Sequence, residues 1–206
     1  QGAERKVRTE MPDGSVAYYE GDQGVERMVR MVHADGSTVV HLEGERGAER
    51  MVRTEMPGGM VKYCEGEKGA EKMVRMELPN GNVQYYEGEQ GAERKVRLES
   101  NGYVQHYEGE KGVERVVRVE FPNGEVQHYE GERGVERLVR MELADDGGVE
   151  HYEGESGAER LSRAEFANGE EVQYYEGEGG AERMVRAEYA DGSVQHYEGE
   201  RGADRI

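Results

Sequence analysis

The chain has 206 residues, 35% of them charged, and a formal net charge of −18. This acidity argues against nucleic acid and anionic membrane surfaces as partners, because phosphate groups are bound by clustered Lys and Arg without competing acids. No apolar run is long enough for membrane insertion, so the compatible partners are another protein, a second copy of the chain or a divalent cation.

The predicted elements follow one another as a partial cassette at the N-terminus and then nine cassettes of about 22 residues, so residues 1–206 are predicted to form a single repeat array. Each cassette contains Tyr-Glu-Gly-Glu-x-Gly-Ala/Val-Glu-Arg-x-Val-Arg-x-Glu, then Pro/Ala-Asn/Asp-Gly and Val-Gln-His/Tyr. The first glycine of this phrase recurs every 21 to 23 residues, at Gly21, Gly44, Gly66, Gly88, Gly109, Gly131, Gly154, Gly177 and Gly199.

Each cassette is predicted to contain two strands and two tight turns. Val126–Glu130 and 137–143 are rich in β-forming residues and are too short for typical helices. The Asn-Gly or Asp-Gly pair is a strong hairpin signal, because both residues accept positive φ, and the Gly131–Gly134 segment is a second short turn. Two reversals in every period predict an all-β chain of consecutive antiparallel strands.

Side-chain alternation predicts an unusual sheet. Val126 and Tyr129 point to opposite faces, as do Leu138 and Val139, so neither face is expected to be cleanly apolar. Tandem β-hairpin repeats of this kind predict an elongated antiparallel sheet. Such a sheet is either largely single-layer, with solvent on both sides, or coiled until both faces are partly covered.

Equivalent positions of the cassettes form columns. The Tyr and Val columns are predicted to hold the sheet together through cross-strand packing, and Cys64, which stands at a Tyr position, is predicted to be a packed thiol. Arg columns beside Glu columns, such as Glu136, Arg140 and Glu142 on one face, predict a ladder of cross-strand ion pairs; a charged comb that binds a polymer is the alternative.

Histidine alternates with tyrosine in the column that precedes the Tyr column. Equivalent residues of successive hairpins lie two strand spacings apart, roughly 9 to 10 Å, which is too far for two imidazoles to share one zinc ion. The exchange with Tyr favours packing over metal binding. Together, the two columns are the predicted interaction surface, since aromatic residues favour interfaces: Tyr86, Tyr107, Tyr129, Tyr152, Tyr175, Tyr197, His106, His128, His151 and His196.

No motif indicates catalysis, and no cofactor or metal ligand is predicted. The sequence lacks a Gly-x-Ser-x-Gly elbow and a phosphate-binding loop, and no polar residue interrupts the repeat as a catalytic centre would. The acidic turn at Glu130, Glu132 and Glu136 could bind calcium weakly, although it lacks the calcium-loop patterns. Solvated turn carboxylates are the simpler interpretation.

The phrase Tyr129-Glu130-Gly131-Glu132 after Pro122-Asn123-Gly124 resembles the MORN repeat, a β-hairpin unit with Tyr-x-Gly-x-Trp. The aromatic residue after Tyr-Glu-Gly-Glu is missing here, and Val-Arg-x-Glu replaces Gly-x-Gly. A second resemblance is to the YD (Rhs) repeats, although the Tyr-Asp dipeptide is absent. The MORN resemblance implies an elongated sheet that serves as a scaffold, a dimerisation element or an interaction platform.

A non-enzymatic structural scaffold or protein-interaction module is therefore the predicted function. The alternative is a ligand-binding or calcium-binding repeat surface that uses the acidic turns or the Tyr and His columns. Residues 1–5 and 201–205 have the same phase of the cassette, which predicts a segment of a longer array, or else a ring whose ends meet.

Overall fold

A computed structural model describes residues 4–145 and 147–199 of the chain. The predicted all-β architecture is confirmed: the described residues form 18 antiparallel strands, and their one helical element is the 3₁₀ turn Pro57–Gly59. The predicted phase match of residues 1–5 with 201–205 rests mostly on residues outside this range.

The strands fall into two units. The first unit holds the residues up to Asn101 together with Glu110–Gly112. Its strands are β1 Arg8–Glu10, β2 Val16–Glu20, β3 Arg27–Val32, β4 Val39–Glu43, β5 Arg50–Glu55, β6 Val61–Glu65, β7 Lys72–Glu77, β8 Val83–Glu87 and β9 Arg94–Ser100. Each strand pairs with the next one along the chain, so that β2, for example, lies between β1 and β3.

The second unit holds Gly102–Gly109 and the residues from Val113 onward. Its strands are β10 Tyr103–Glu108, β11 Arg115–Glu120, β12 Val126–Glu130, β13 Arg137–Glu142, β14 Val149–Glu153, β15 Arg160–Glu165, β16 Glu171–Glu176, β17 Arg183–Tyr189 and β18 Val194–His196. It too is an antiparallel meander of sequential neighbours.

We call strands that carry the Tyr column, such as β12, Tyr strands, and strands that carry the Arg columns, such as β13, Arg strands. A β-bulge recurs wherever a Tyr strand pairs with the Arg strand that follows it. Between β12 and β13, His128 lies opposite Arg140 and Tyr129 lies opposite Leu138, so Val139 is the additional residue. The same shift occurs between β2 and β3 and between β16 and β17. A bulge interrupts the two-residue alternation of side chains, which changes the composition of the two faces.

Because of the bulge, Tyr129 of β12 shares one face with Leu138 and Met141 of β13. Directly opposed residues lie on the same face of a sheet, and Tyr129 opposes Leu138 while Gln127 opposes Met141. We call this the Tyr face. In the second unit its paired positions are Gln105, Tyr107, Val116, Val119, Gln127, Tyr129, Leu138, Met141, Glu150, Tyr152, Leu161, Ala164, Glu171, Gln173, Tyr175, Met184, Ala187, Tyr189 and Gln195.

As expected, neither face is cleanly apolar, because Gln and a few charged residues also lie on the Tyr face, but the bulge concentrates Tyr, Leu and Met there. Glu150 and Glu171 are the two charged residues among the paired positions of the Tyr face in the second unit, and Lys62 and Lys95 are the two in the first. The opposite face, which we call the His face, carries the Arg and Glu columns with the His/Tyr column. With strict alternation, Leu138 would lie on the face opposite to Tyr129 and Met141. The bulge places all three on the same face.

Burial is shallow and lies mostly on the Tyr face. The described residues include six buried apolar side chains, and five of them are on this face: Ala17, Cys64, Val119, Ala164 and Ala187. No large side chain among the described residues is fully buried. Stacked columns thus replace a central core, as the sequence predicts. The described part of the chain contains no helix that could cross a membrane.

The Asn-Gly turns are mostly three-residue loops. At Phe121 the main-chain carbonyl accepts the Gly124 N–H at 2.9 Å, the Phe121 N–H donates to Glu125 O at 2.8 Å, and Gly124 has φ 90°. This is a turn followed by a glycine bulge. Asn123 Oδ1 also accepts the Glu125 N–H at 3.1 Å, so Asn contributes a side-chain acceptor here. Among the described residues, Asn101 alone of the non-glycine residues has a positive φ, 49°.

Candidate functional site

The Tyr column packs along the Tyr face. From Tyr86 onward, each hydroxyl of the column donates to the residue two positions earlier on the same face, at 2.5 Å for Tyr129 with Gln127 and for Tyr152 with Glu150. Burial raises the pKa of the Tyr107, Tyr129 and Tyr152 hydroxyls above the ordinary value. The same pairing joins Tyr86 to Gln84, Tyr107 to Gln105, Tyr175 to Gln173 and Tyr197 to Gln195.

The His column lies on the opposite face, within a charged network. His128 Nε2 is 3.0 Å from Glu142 Oε1, and Arg140 donates to the same oxygen at 2.5 Å. The hydrogen bond from His128, and after it Arg140, holds the pKa of Glu142 below its ordinary value. Equivalent triads are His41–Arg53–Glu55, His106–Arg118–Glu120 and His151–Arg163–Glu165.

The predicted interaction surface is therefore divided between two faces. Tyr129 follows His128 directly in a strand whose own alternation is regular, so the two columns cannot contact one partner surface together. The exchange of His for Tyr has a physical reason. Tyr174 donates its hydroxyl to Glu188 at 3.0 Å, and Arg186 lies 5.0 Å from the centre of its ring. Either side chain can thus reach the Glu and contact the Arg.

A carboxylate in the glycine corner connects successive cassettes. Glu159 Oε2 accepts the Gly157 N–H of its own turn at 2.9 Å, and its Oε1 accepts the Leu138 N–H, one cassette earlier, at 3.2 Å. We call this carboxylate the corner Glu. Each of the following accepts a main-chain N–H from the preceding cassette: Glu26, Glu49, Glu71, Glu93, Glu136, Glu159 and Glu182.

The corner Glu was missed as a distinct element of the fold. The sequence interpretation placed Glu136 with Arg140 and Glu142 on one face, and the structure confirms only the Arg140–Glu142 ion pair. Main-chain donors, its own N–H first and then those of Gly134 and Val116, lower the pKa of Glu136. The available signal was positional: this Glu always follows the second turn glycine by two residues.

An Arg follows most corner Glu residues, and its side chain reaches the next cassette at Arg27, Arg50, Arg137 and Arg160. Arg137 donates to Gly154 O of the next cassette at 3.2 Å and to Glu130 of its own turn at 3.2 Å. Arg160 repeats both contacts, with Gly177 O at 3.3 Å and Glu153 at 3.2 Å. The corner therefore binds its neighbours in both directions, backward through Glu and forward through Arg.

The acidic turn is occupied by these internal contacts. Glu130 pairs with Arg137, and the carboxylate of Glu136 accepts main-chain N–H groups from Gly134 and Val116. A calcium ion would have to displace these bonds to obtain its six to eight oxygen ligands. Within residues 4–145 and 147–199, no group of three or more His, Cys, Asp or Glu side chains is placed to hold a metal ion.

Shallow clefts lie between successive glycine corners. The cleft between the turns at Gly44 and Gly66 has a volume of about 450 Å³, with Ala48 and the Arg50 side chain in its lining. Similar clefts of about 500 and 580 Å³ lie beside Ala92 and Ala158. Their linings combine glycine main chain, a small apolar side chain and both charge signs, and they recur with the period of the repeat.

Residues with nucleophilic side chains have structural surroundings. Cys64 is buried opposite Met73 on the Tyr face, and burial raises the pKa of its thiol, which makes it a poor nucleophile at neutral pH. Ser162, which interrupts the Val column, donates to the main-chain carbonyl of His151 at 3.1 Å. The chemistry available at both positions is that of packing and hydrogen bonding.

Comparison with known proteins yields little. No family model matches the chain, and no curated protein matches it. A solved structure entitled "Crystal Structure of TcdB2-TccC3" is similar over 95% of this chain and 14% of that chain, with 11% sequence identity and a TM-score of 0.19. The chain thus spans about a seventh of the length of that structure's chain, and a likeness this weak indicates neither fold nor function.

Proposed function

We propose that this protein is a non-enzymatic structural scaffold or protein-interaction repeat module. The observation that carries the proposal is the repeated use of the same polar side chains. Corner Glu, corner Arg and the His–Arg–Glu triads make the same internal contacts in cassette after cassette. These Glu, Arg and His side chains are thus used in the internal contacts of the sheet. The MORN-like hairpin pattern supports the same proposal.

The Tyr face is the surface that we propose for a protein partner. It combines Tyr, Met and Leu with very few charges, in a chain of which 35% is charged. Aromatic and methionine side chains are enriched at protein interfaces, whereas charged side chains are depleted in their centres. The His face is the weaker candidate, because its ionised groups are paired and would have to be desolvated on binding.

A photo-cross-linking experiment on adjacent residues tests this proposal. p-Benzoyl-phenylalanine at Tyr129 lies on the Tyr face, and at His128 it lies on the His face one residue away. We expect illumination in the source cells to join one defined protein to position 129 and not to position 128. Circular dichroism of both purified variants should show the β-rich spectrum of the unmodified chain.

Three outcomes would contradict the proposal. Equal cross-linking at both positions would show no preference for the Tyr face, and the absence of any protein adduct at either position would remove the evidence for a partner. A measurable turnover that a single substitution abolishes would argue for an enzyme.

A ligand-binding repeat surface is the second candidate function, and the periodic clefts of about 410 to 580 Å³ favour it. A ligand bound only by the folded chain raises the melting temperature. Titration with calcium should leave that temperature unchanged if the carboxylates remain committed to their internal bonds. An increase at modest calcium concentration would favour this candidate over the scaffold.

A further inference from the structure

The Tyr face of the first unit is rich in methionine. Tyr19 lies opposite Met28, and Leu42 and Cys64 stand where the next two cassettes would otherwise carry Tyr. Methionine side chains adapt to the surface that they contact, and their sulfur packs favourably against aromatic rings. The methionines at paired positions of this face are Met28, Met31, Met51, Met73 and Met76.

The Tyr face of the second unit is rich in tyrosine instead. In the described part of this unit, its paired positions hold two methionines, Met141 and Met184. The face of an aromatic ring attracts cations, and its edge and face both accept contacts from sulfur. The tyrosines at paired positions are Tyr107, Tyr129, Tyr152, Tyr175 and Tyr189. One face thus offers thioethers, and the other offers the rings that thioethers favour.

The two faces also differ in charge. Lys62 and Lys95 lie at paired positions of the first unit's Tyr face, whereas Glu150 and Glu171 lie at paired positions of the second unit's Tyr face. At the paired positions that the structure describes, the first face has no acidic side chain and the second has no basic one. In a chain of net charge −18, cations are thus placed on one of these surfaces and anions on the other.

The acidic side chains are available to a cation from another molecule. Glu150 accepts a hydrogen bond from the Tyr152 hydroxyl at 2.5 Å, and Glu171 accepts one from the Gln173 amide at 2.8 Å. Both donors are neutral, so these bonds leave the carboxylate charge uncompensated, and both Glu side chains are only half-buried.

A lysine already contacts a tyrosine ring on the Tyr face of the first unit. Lys6 Nζ lies 3.8 Å from the centre of the Tyr19 ring, which is the geometry of a cation–π contact. Lysines brought by a second molecule can contact the tyrosine rings of the second unit in the same way.

Contacts between like faces are disfavoured. Two first units would bring lysines together, two second units would bring glutamates together, and like charges in an interface oppose association. The second unit holds 25 acidic and 11 basic residues, against 20 and 16 in the first, so repulsion is strongest between two second units. Contact between unlike faces instead sets Lys against Glu and Met against Tyr.

We propose that the Tyr face of the first unit of one copy binds the Tyr face of the second unit of another copy. Lys62 and Lys95 supply the cations of the contact and Glu150 and Glu171 supply the anions, with methionines packed on tyrosine rings between them. The inference rests on the proposed function and deepens it, because it names a second copy of the chain as the partner of the Tyr face.

Charge reversal on one face at a time tests the contact. Lys62→Glu with Lys95→Glu leaves both faces acidic at these positions, and Glu150→Lys with Glu171→Lys leaves both basic. We expect the unmodified chain to associate with rising concentration in sedimentation velocity, and each double variant to weaken this association at least about tenfold. In 0.15 M salt electrostatic effects reach about 8 Å, so the general repulsion between acidic copies is reduced while the contact pairs still act.

A mixture of the two double variants adds a sharper test. The variant substituted at Lys62 and Lys95 keeps its second-unit face, and the variant substituted at Glu150 and Glu171 keeps its first-unit face. One unmodified pair of unlike faces therefore remains, and the mixture should associate at least about five times more tightly than either variant alone. A mixture that associates no better than its components would overturn the pairing of unlike faces.

Lys68→Glu with Lys111→Glu is the matched control. It changes the net charge by the same amount within the same unit, but the two lysines lie in glycine corners, where they donate to Gly47 O and Gly91 O. This control should associate as the unmodified chain does. An equal loss of association in the control and in the Lys62 and Lys95 variant would overturn the proposal, because net charge would then govern the association.

Milder substitutions decide the question if a reversal variant fails to fold. Lys62→Gln and Glu150→Gln each introduce the residue that Gln84 and Gln127 place at the equivalent position, so circular dichroism should show an unchanged β-rich spectrum. Each should weaken association about threefold through the loss of one charge. Unchanged association in both, or a monomer at every concentration of the unmodified chain, would overturn the proposal.

Photo-cross-linking of the purified chain separates this inference from the proposed function. p-Benzoyl-phenylalanine at Tyr129 should join a first-unit peptide of another copy, and an adduct with a second-unit peptide would overturn the proposed pairing. A purified chain that stays monomeric while position 129 cross-links a different protein in the source cells would overturn the second-copy inference and leave the proposed function standing.

Discussion

The amide N–H of Leu138 donates to a carboxylate oxygen of Glu159 at 3.2 Å, although the two residues are 21 positions apart. The paired residues of β13 and β14 end at Arg140 and His151, so the Leu138 amide lies beyond that ladder. Glu159 therefore supplies the acceptor for the Leu138 amide that β14 does not. Each such bond connects neighbouring cassettes where the bulge interrupts the sheet.

Loss of a corner carboxylate should destabilise the chain. Glu136→Ala removes acceptors from the Gly134 and Val116 amides, and we expect it to lower the free energy of unfolding by about 2 kcal/mol, the usual scale for hydrogen bonds to charged groups. Glu132→Ala removes the same charge four residues earlier and should change stability by less than about 0.5 kcal/mol. Urea unfolding followed by circular dichroism measures both, and equal effects would contradict the role of the corner Glu.

The two turn glycines should differ in their tolerance of alanine. Gly131 has φ 112°, and a Cβ atom there would lie 2.8 Å from Val135 O, whereas Gly134 has φ 85° with open space around it. Gly134→Ala should cost about 1 kcal/mol from the left-handed conformation alone. Gly131→Ala adds a main-chain collision and should cost clearly more. Thermal unfolding of the two variants makes the comparison, and a larger loss for Gly134→Ala would refute it.

Acid should weaken the contacts of the corner Glu. The folded pKa of Glu136 is lowered from the ordinary value of 4.5, so its contribution is fully present above that pH and is lost as the pH falls through the folded pKa. The stability difference between the unmodified chain and Glu136→Gln should therefore shrink as the pH is lowered from 6 towards 3. The net charges of the two proteins differ by no more than one unit, so the effect of net charge on stability largely cancels in this difference. A constant difference would show that the carboxylate's ionisation is irrelevant.

A His-face triad should accept tyrosine and reject an aliphatic residue. His128→Tyr can reproduce the contact that Tyr174 makes with Glu188 at 3.0 Å, and we expect a change within about 0.5 kcal/mol. His128→Leu leaves Glu142 without the imidazole partner and should cost about 1 kcal/mol. Equal stability of the two variants in urea would mean that packing, and not a hydrogen bond to Glu142, explains why His and Tyr replace each other in this column.

Sequence reasoning recovered the local elements, because their signals are local. Glycine spacing placed the turns, and β-forming segments such as Val126–Glu130 are strands with the predicted bounds. The sequence also predicted that Arg140 and Glu142 share a face, since residues two apart on a strand do so. The ion pair that they form lies within one strand, whereas the predicted ladder crossed between strands. The sequence did not predict the bulge, which depends on the register between two strands, or the corner Glu contact between cassettes.

The sequence by itself determined an all-β chain of repeated antiparallel hairpins, since two glycine turns in each period permit little else. The tertiary structure decided which side chains share a face. A bulge at Val139 moves Leu138 beside Tyr129, and no rule of alternation contains that shift, because it arises from the hydrogen-bond register between two strands. The same holds for Glu159 and Leu138: their bond depends on how one cassette lies against the next.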